Sequence, residues 1–106
     1  MSALTDYAKG KDCMIRIPSV CSFNNEQTVA CHVPLAGYRG TGMKMKDLFI
    51  AFGCNDCHDA VDRRRYMDLD PEFARVCLLE GMIRTQEYIT EHAPHLIANY
   101  FKRAAA

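Results

Sequence analysis

The stretch "CNDCHDAVDRRR", residues 54–65, decides how this chain is read: two cysteines three apart, a histidine, an aspartate four residues further on, and three contiguous arginines. It follows "DLFIAFG" (47–53), an apolar run of strand length. Asn55 or Asp56 can cap a helix that runs to about Arg65. Cys54 and Cys57 therefore fall at a strand-to-helix corner. His58 falls in the first helical turn, and Asp62, four residues later, lies on the same helix face.

Working outward, "EQTVACHVPL" (26–35) reads as a strand closed by Pro34, and "AGYRGTGMKMK" (36–46) as a glycine-rich basic loop. With 47–53 they make an antiparallel hairpin with a long connection. "KGKDCMIRIPSVC" (9–21) reads as a loop interrupted by Pro18. A second helix opens at "DLDPEF", with Asp70 as N-cap and Pro71 in the first helical position. Phe73, Val76, Leu79 and Ile83 recur at helical spacing, an apolar stripe expected to pack on the hairpin. Pro94 ends or breaks that helix, and "PHLIANYFKR" supplies a short last one. The fold class expected is α+β in a single domain, 1–106, with a core over about 9–66 and a helical extension over about 70–103.

At 106 residues the chain builds one modest core, so a covalent or metal staple is expected. Its formal charge is zero, which selects no partner, but the charges are uneven. Residues 1–65 carry nine Lys/Arg against seven Asp/Glu, and 66–106 carry four against six. Arg39, Lys44, Lys46 and the run Arg63, Arg64 and Arg65 are the candidate contacts to nucleic-acid phosphates. No segment has the order of a secretory signal, and none approaches the ~20 apolar residues of a membrane span. The expectation is an intracellular protein without a membrane partner, whose six cysteines are metal ligands or buried thiols rather than disulfides.

Cys13 and Cys21 add a second, wider pair to Cys54 and Cys57. Four thiolates satisfy tetrahedral zinc with no open position, the arrangement of a structural site. The plainer reading is four buried thiols. Cys31 and Cys77 are left over, and both read as small apolar filler. A Cys31 nucleophile paired with His32 is disfavoured, because strand neighbours point to opposite faces.

His32 ends the first strand and His58 begins the helix at the cysteine corner, so a hairpin packed on that helix would bring them together. Phosphodiester hydrolysis needs a base for water and a cation beside the phosphate, and imidazole suits the first task at neutral pH. His58 and Asp62 offer a nitrogen and an oxygen to a divalent ion. The bland alternative is a helix salt bridge and a solvated arginine face. Residue spacing leaves both open, and His92 and His95, either side of Pro94, read as surface residues.

Here resemblance enters. "ACHVPLAG", a basic loop and "DLFIAFGCNDCHDAVD" resemble the HNH, or His-Me finger, endonucleases. More closely, "CMIRIPSVC", "CHVPLAGYRGTG", "CNDCHDAVDRR" and "LEGMIRTQ" look like the small prophage-encoded YbcO-like nucleases, over most of residues 5–90. The resemblance implies a zinc-stapled ββα-metal, treble-clef-like core acting on nucleic acid, with DNA expected, in the cytoplasm of a bacterial host. It makes His32 the general base and His58 a ligand of a catalytic magnesium, manganese or zinc ion. Asp62 stands where many HNH enzymes place their last histidine. Asp47 stands near the middle asparagine of that pattern, at a longer distance from Cys54 than usual. Cys31 replaces the His or Asp that many members carry before the base. The competing expectation is a non-catalytic treble-clef zinc module that binds nucleic acid or a protein.

Overall fold

The computed structural model describes residues 2–34 and 46–105; Arg39 and Lys44 lie outside the described residues. The order is α1 (Ala3–Asp6), a 3-10 turn (Asn25–Gln27), β1 (Val29–His32), β2 (Ile50–Gly53), α2 (Asn55–Val61), α3 (Pro71–His92) and α4 (Pro94–Ala105). β1 and β2 pair antiparallel with Ala30 opposite Phe52 and His32 opposite Ile50. The chain is α+β, as expected, with a small sheet. No helix is long and apolar enough to cross a membrane among the described residues.

The two faces of this sheet bury different cores. Cys31 and Ala51 face a cluster with Cys13, Ile15, Ile17, Cys54, Cys57, Cys77 and Leu78. Ile50 and Phe52 face Leu4, Ala8, Met14 and Ile89, with Ala30, Tyr7 and Tyr88 packed alongside. Strand alternation explains the division: neighbouring residues point to opposite faces. α1, which carries Leu4 into the second core, is absent from the sequence reading. Its capping box, Ser2 with Thr5, holds the first turn.

The strands are shorter than expected. Residues 26–28 form a turn in which Thr28 N–H donates to Asn25, and Phe49 N–H closes a turn on Lys46. Cys54, rather than Asn55 or Asp56, is the N-cap of α2, its sulfur accepting from Cys57 N–H. α2 ends at Val61 and not near Arg65, because Arg63 adopts a left-handed φ of 59° that turns the chain out of the helix.

α3 begins as read, with Asp70 accepting from Glu72 N–H and Pro71 next. Its expected stripe is corrected: Phe73, Val76 and Ile83 are exposed, at 43%, 50% and 62%. The buried face is Ala74, Cys77, Leu78, Gly81, Thr85 and Ile89. Close approach is the reason. A Cβ at Gly81 would lie 3.0 Å from Ile15 Cα, so only a helix lined with small residues can seat against this loop. Gly53 makes room on the other side, where a Cβ would meet Ile15 Cδ1 at 2.5 Å. Ile15 is therefore held between β2 and α3. Met14 N–H donates to Phe52 O and Arg84 donates to Met14 O, fixing the Cys13 segment along the outer edge of β2.

Candidate metal centre and histidine pairs

These restraints deliver Cys13 and Cys21 to the Cys54–Cys57 corner. The segment between Cys13 and Cys21 is tightly folded: Arg16 and Ser19 take positive φ of 54° and 66°, and Phe23 just beyond takes 54°. Left-handed backbone at non-glycine residues costs roughly 1–2 kcal/mol each. Turns so strained are kept where the surroundings over-determine them. The four sulfurs lie within 4.8 Å of one another, and Cys54 Sγ is 3.9 Å from Cys21 Sγ. Tetrahedral Zn–S bonds of about 2.3 Å place sulfurs about 3.8 Å apart, so the cluster is already near the required size.

Its electrostatics point the same way. A hydrogen bond from the Cys57 thiol holds Cys13 down to about 4. That same bond and burial push Cys57 far up, and burial raises Cys21 to about 12. Each thiolate formed makes the next harder to form. A divalent cation removes that conflict by favouring all four thiolates together. These four cysteines are the group of metal-ligating side chains found among the described residues, and they fit zinc.

Among the described residues there are two histidine–carboxylate pairs, one at the end of β1 and one on α2. His32 Nε2 lies 2.8 Å from Asp47 Oδ1, a hydrogen bond in which a ring N–H on Nε2 donates to the carboxylate. Burial pushes the Asp47 carboxyl up, but hydrogen bonds from Ser2 and His32 outweigh it and hold the group below its ordinary range. The pair lines a cleft of about 920 Å³ bounded by Thr5 and Asp6 of α1, by Lys9 just beyond it, and by Glu26 and Thr28.

On α2, His58 Nε2 is 3.1 Å from Asp62 Oδ2 across one helical turn, and both side chains are partly exposed. The structure brings His32 to Asp47 and His58 to Asp62. It does not direct His32 at α2, since His32 shares its face with Ala30 and Ile50 while Cys31 faces the cysteine core. Burial raises the Cys31 thiol, and the Asp62 carboxylate raises it further. Asp62 thus acts electrostatically on the residue next to His32.

The arginine run is not free. Arg63 donates to the Leu69 and Met67 carbonyls, both at 2.9 Å, and so ties the turn after α2. Arg64 pairs with Asp62 at 2.5 Å and Arg65 with Asp56 and Asp59 at 2.6 and 2.8 Å. The sequence contains the signal that was missed: Asp56, Asp59 and Asp62 recur every three residues just before the three arginines. Lys46 is exposed. Cys77 is buried filler, as read, and His92 stacks on Tyr88 with ring centroids 4.2 Å apart.

Comparison with known proteins follows the same residues. Two proteins described as "Putative nuclease YbcO", from Escherichia coli (strain K12) and from Enterobacteria phage 82, are each 45% identical over 86 residues, 81% of this chain and 88% of theirs. A solved structure described as "a putative bacteriophage protein" from E. coli str. K-12 substr. MG1655 superposes with a TM-score of 0.68 at 38% identity, covering 80% of this chain and 93% of that one. The family model described as "Putative nuclease YbcO" matches residues 2–93, which spans the cysteine cluster, both histidine pairs and all of α3, and the chain belongs to that family.

Proposed function

We infer that this chain is a metal-dependent endonuclease of the HNH type that hydrolyses phosphodiester bonds in DNA. The observation that carries the reading is the 2.8 Å pair of His32 Nε2 with Asp47 Oδ1 at the rim of a cleft. A carboxylate on one ring nitrogen fixes the tautomer and stabilises the imidazolium, which leaves the other nitrogen to accept a proton. In this scheme His32 Nδ1 takes the proton of the attacking water as it adds to phosphorus. Asp47 holds the ring through that transfer and stays ionised.

His58 and Asp62 are the residues that would hold the catalytic ion, magnesium, manganese or zinc. Their ligand atoms, 3.1 Å apart and partly exposed, match adjacent positions on one ion, about 3 Å apart for bonds near 2.1 Å. When bound, such an ion would offset charge on the phosphate and the departing oxygen, and the substrate would have to bridge the end of the hairpin, because His32 and α2 lie on opposite faces of the sheet. Arg64 competes for Asp62, so metal binding here displaces an ion pair. Cys13, Cys21, Cys54 and Cys57 would hold structural zinc and fix the β2–α2 corner from which His58 projects.

One observation favours the second reading, a zinc module that binds without cutting: the local neutralisation of Arg64 and Arg65 by α2 aspartates. A plasmid-nicking assay across magnesium, manganese and zinc separates the two. The nuclease reading expects wild type to cut, His32→Ala to be inactive with unchanged zinc content, and Asp47→Asn to fall between them. Wild type that cuts nothing beyond what His32→Ala cuts would replace the nuclease with the binding module.

A further inference from the structure

The two outer edges of the sheet are treated differently. Val33 N–H donates to Phe49 O, and the register puts these residues opposite one another. In an antiparallel ladder, hydrogen-bonded pairs alternate with pairs whose N–H and C=O groups point outward. Cys31 and Ala51 are thus a bonded pair, whereas Ala30, His32, Ile50 and Phe52 present their main-chain groups to the outer edges. On β2 that edge is closed at Phe52, whose N–H donates to Thr85 Oγ1 at 2.9 Å and whose O accepts from Met14 N–H, and Ile50 is buried. On β1, Ala30 and His32 have no main-chain partner on the outer side among the described residues, and neither residue is buried. An open strand edge is a template for another strand.

The open edge borders the cleft already described, which fixes the chemistry of what would fit. Asp6, Glu26 and Asp47 line it against Lys9 and His32, an acidic balance. Thr28 Oγ1, buried in that lining, has no hydrogen-bond partner among the described residues. A nucleic-acid strand, which can reach His32 at the rim, has no alternating N–H and C=O groups with which to extend the ladder. A second copy pairing β1 to β1 would bring two acidic clefts together. A cationic extended peptide meets neither obstacle.

We propose that the outer edge of β1 is a docking site for an extended basic segment of a partner protein, added as a strand on the main-chain groups of Ala30 and His32. An antiparallel partner places the residues opposite Ala30 and His32 on the cleft face, so those positions are Lys or Arg and the alternate positions are apolar. The site stands whether or not His32 is catalytic. A docked strand would cover His32.

The test uses the zinc-loaded full chain and an eight-residue acetylated peptide alternating lysine and valine. At ten times its Kd the peptide should slow exchange of the Ala30 and His32 amides about tenfold, with a glutamate–valine peptide giving no protection. Methylating the lysine amides, the ones an antiparallel partner turns toward β1, should abolish binding. Methylating the valine amides should leave it intact. Asp6→Asn combined with Glu26→Gln should weaken binding about fivefold. Equal binding by both methylated peptides, or no protection at Ala30 and His32, would overturn the proposal. So would protection of these amides on raising protein concentration with no peptide present.

Discussion

Thr85→Val is the sharpest probe of how α3 is seated. Thr85 is fully buried, and its Oγ1 accepts the Phe52 N–H at 2.9 Å, the contact that closes the outer edge of β2. Valine has the same shape but no acceptor, so it leaves a buried amide N–H unpaired, a loss of about 1–3 kcal/mol. Thr85→Ser keeps the acceptor and removes one buried methyl group, about 0.8 kcal/mol. Stability should therefore fall more for the isosteric substitution than for the smaller one, the reverse of what packing alone predicts. For a domain of this size, 1 kcal/mol moves the melting temperature by about 4–5 °C. The valine variant should melt about 5–13 °C lower and the serine variant about 4 °C lower, by thermal unfolding at one fixed free-zinc concentration. A valine variant as stable as wild type, or less perturbed than serine, would refute the assigned bond.

Metal analysis should find one zinc per chain, lost on Cys13→Ser together with a large fall in melting temperature; folded protein free of zinc and indifferent to strong chelator would exclude the site. Arg63→Ala, which frees the Leu69 and Met67 carbonyls, should cost about 1 kcal/mol or more in urea unfolding, whereas Arg64→Ala and Arg65→Ala should leave the unfolding midpoint near wild type. The lowered Asp47 carboxyl contributes stability that is present above its unfolded value of about 3.9 and is lost as pH falls through its folded value. The stability difference between wild type and Asp47→Asn should accordingly be full at neutral pH and shrink in acid below about pH 4; a difference that stays constant across that range would contradict the pairing with His32.

The hairpin, α2, the Asp70 cap and the Cys54–Cys57 corner were legible because each has a local chemical cause. Alternating apolar residues, Cys-x2-Cys and Asp-Pro act over a few residues, and the tertiary fold does not override them. The buried face of α3 was not legible from hydrophobicity. Phe73, Val76 and Ile83 are the obvious stripe, yet the surface that packs is chosen by how closely backbone must approach backbone, and only Ala74, Cys77, Gly81 and Thr85 permit that. The arginine run misled for a related reason: charge was counted along the chain, while its neutralising aspartates are Asp56, Asp59 and Asp62 of the segment just before it. Asp47 was reached through resemblance, and its 2.8 Å contact with His32 depends on the turn over residues 46–49 that no spacing rule specifies.

The central claim is that His32 is the base and that His58, with Asp62, carries the catalytic ion. It is tested most directly by measuring the DNA cleavage rate against manganese concentration for wild type, His32→Ala and His58→Ala side by side. Loss of a ligand weakens metal binding, so the His58→Ala rate should climb toward wild type as manganese rises, whereas the His32→Ala rate should stay flat at background throughout. Rescue of His32→Ala by manganese, or a wild-type rate no greater than that of His32→Ala at any concentration, would contradict the account.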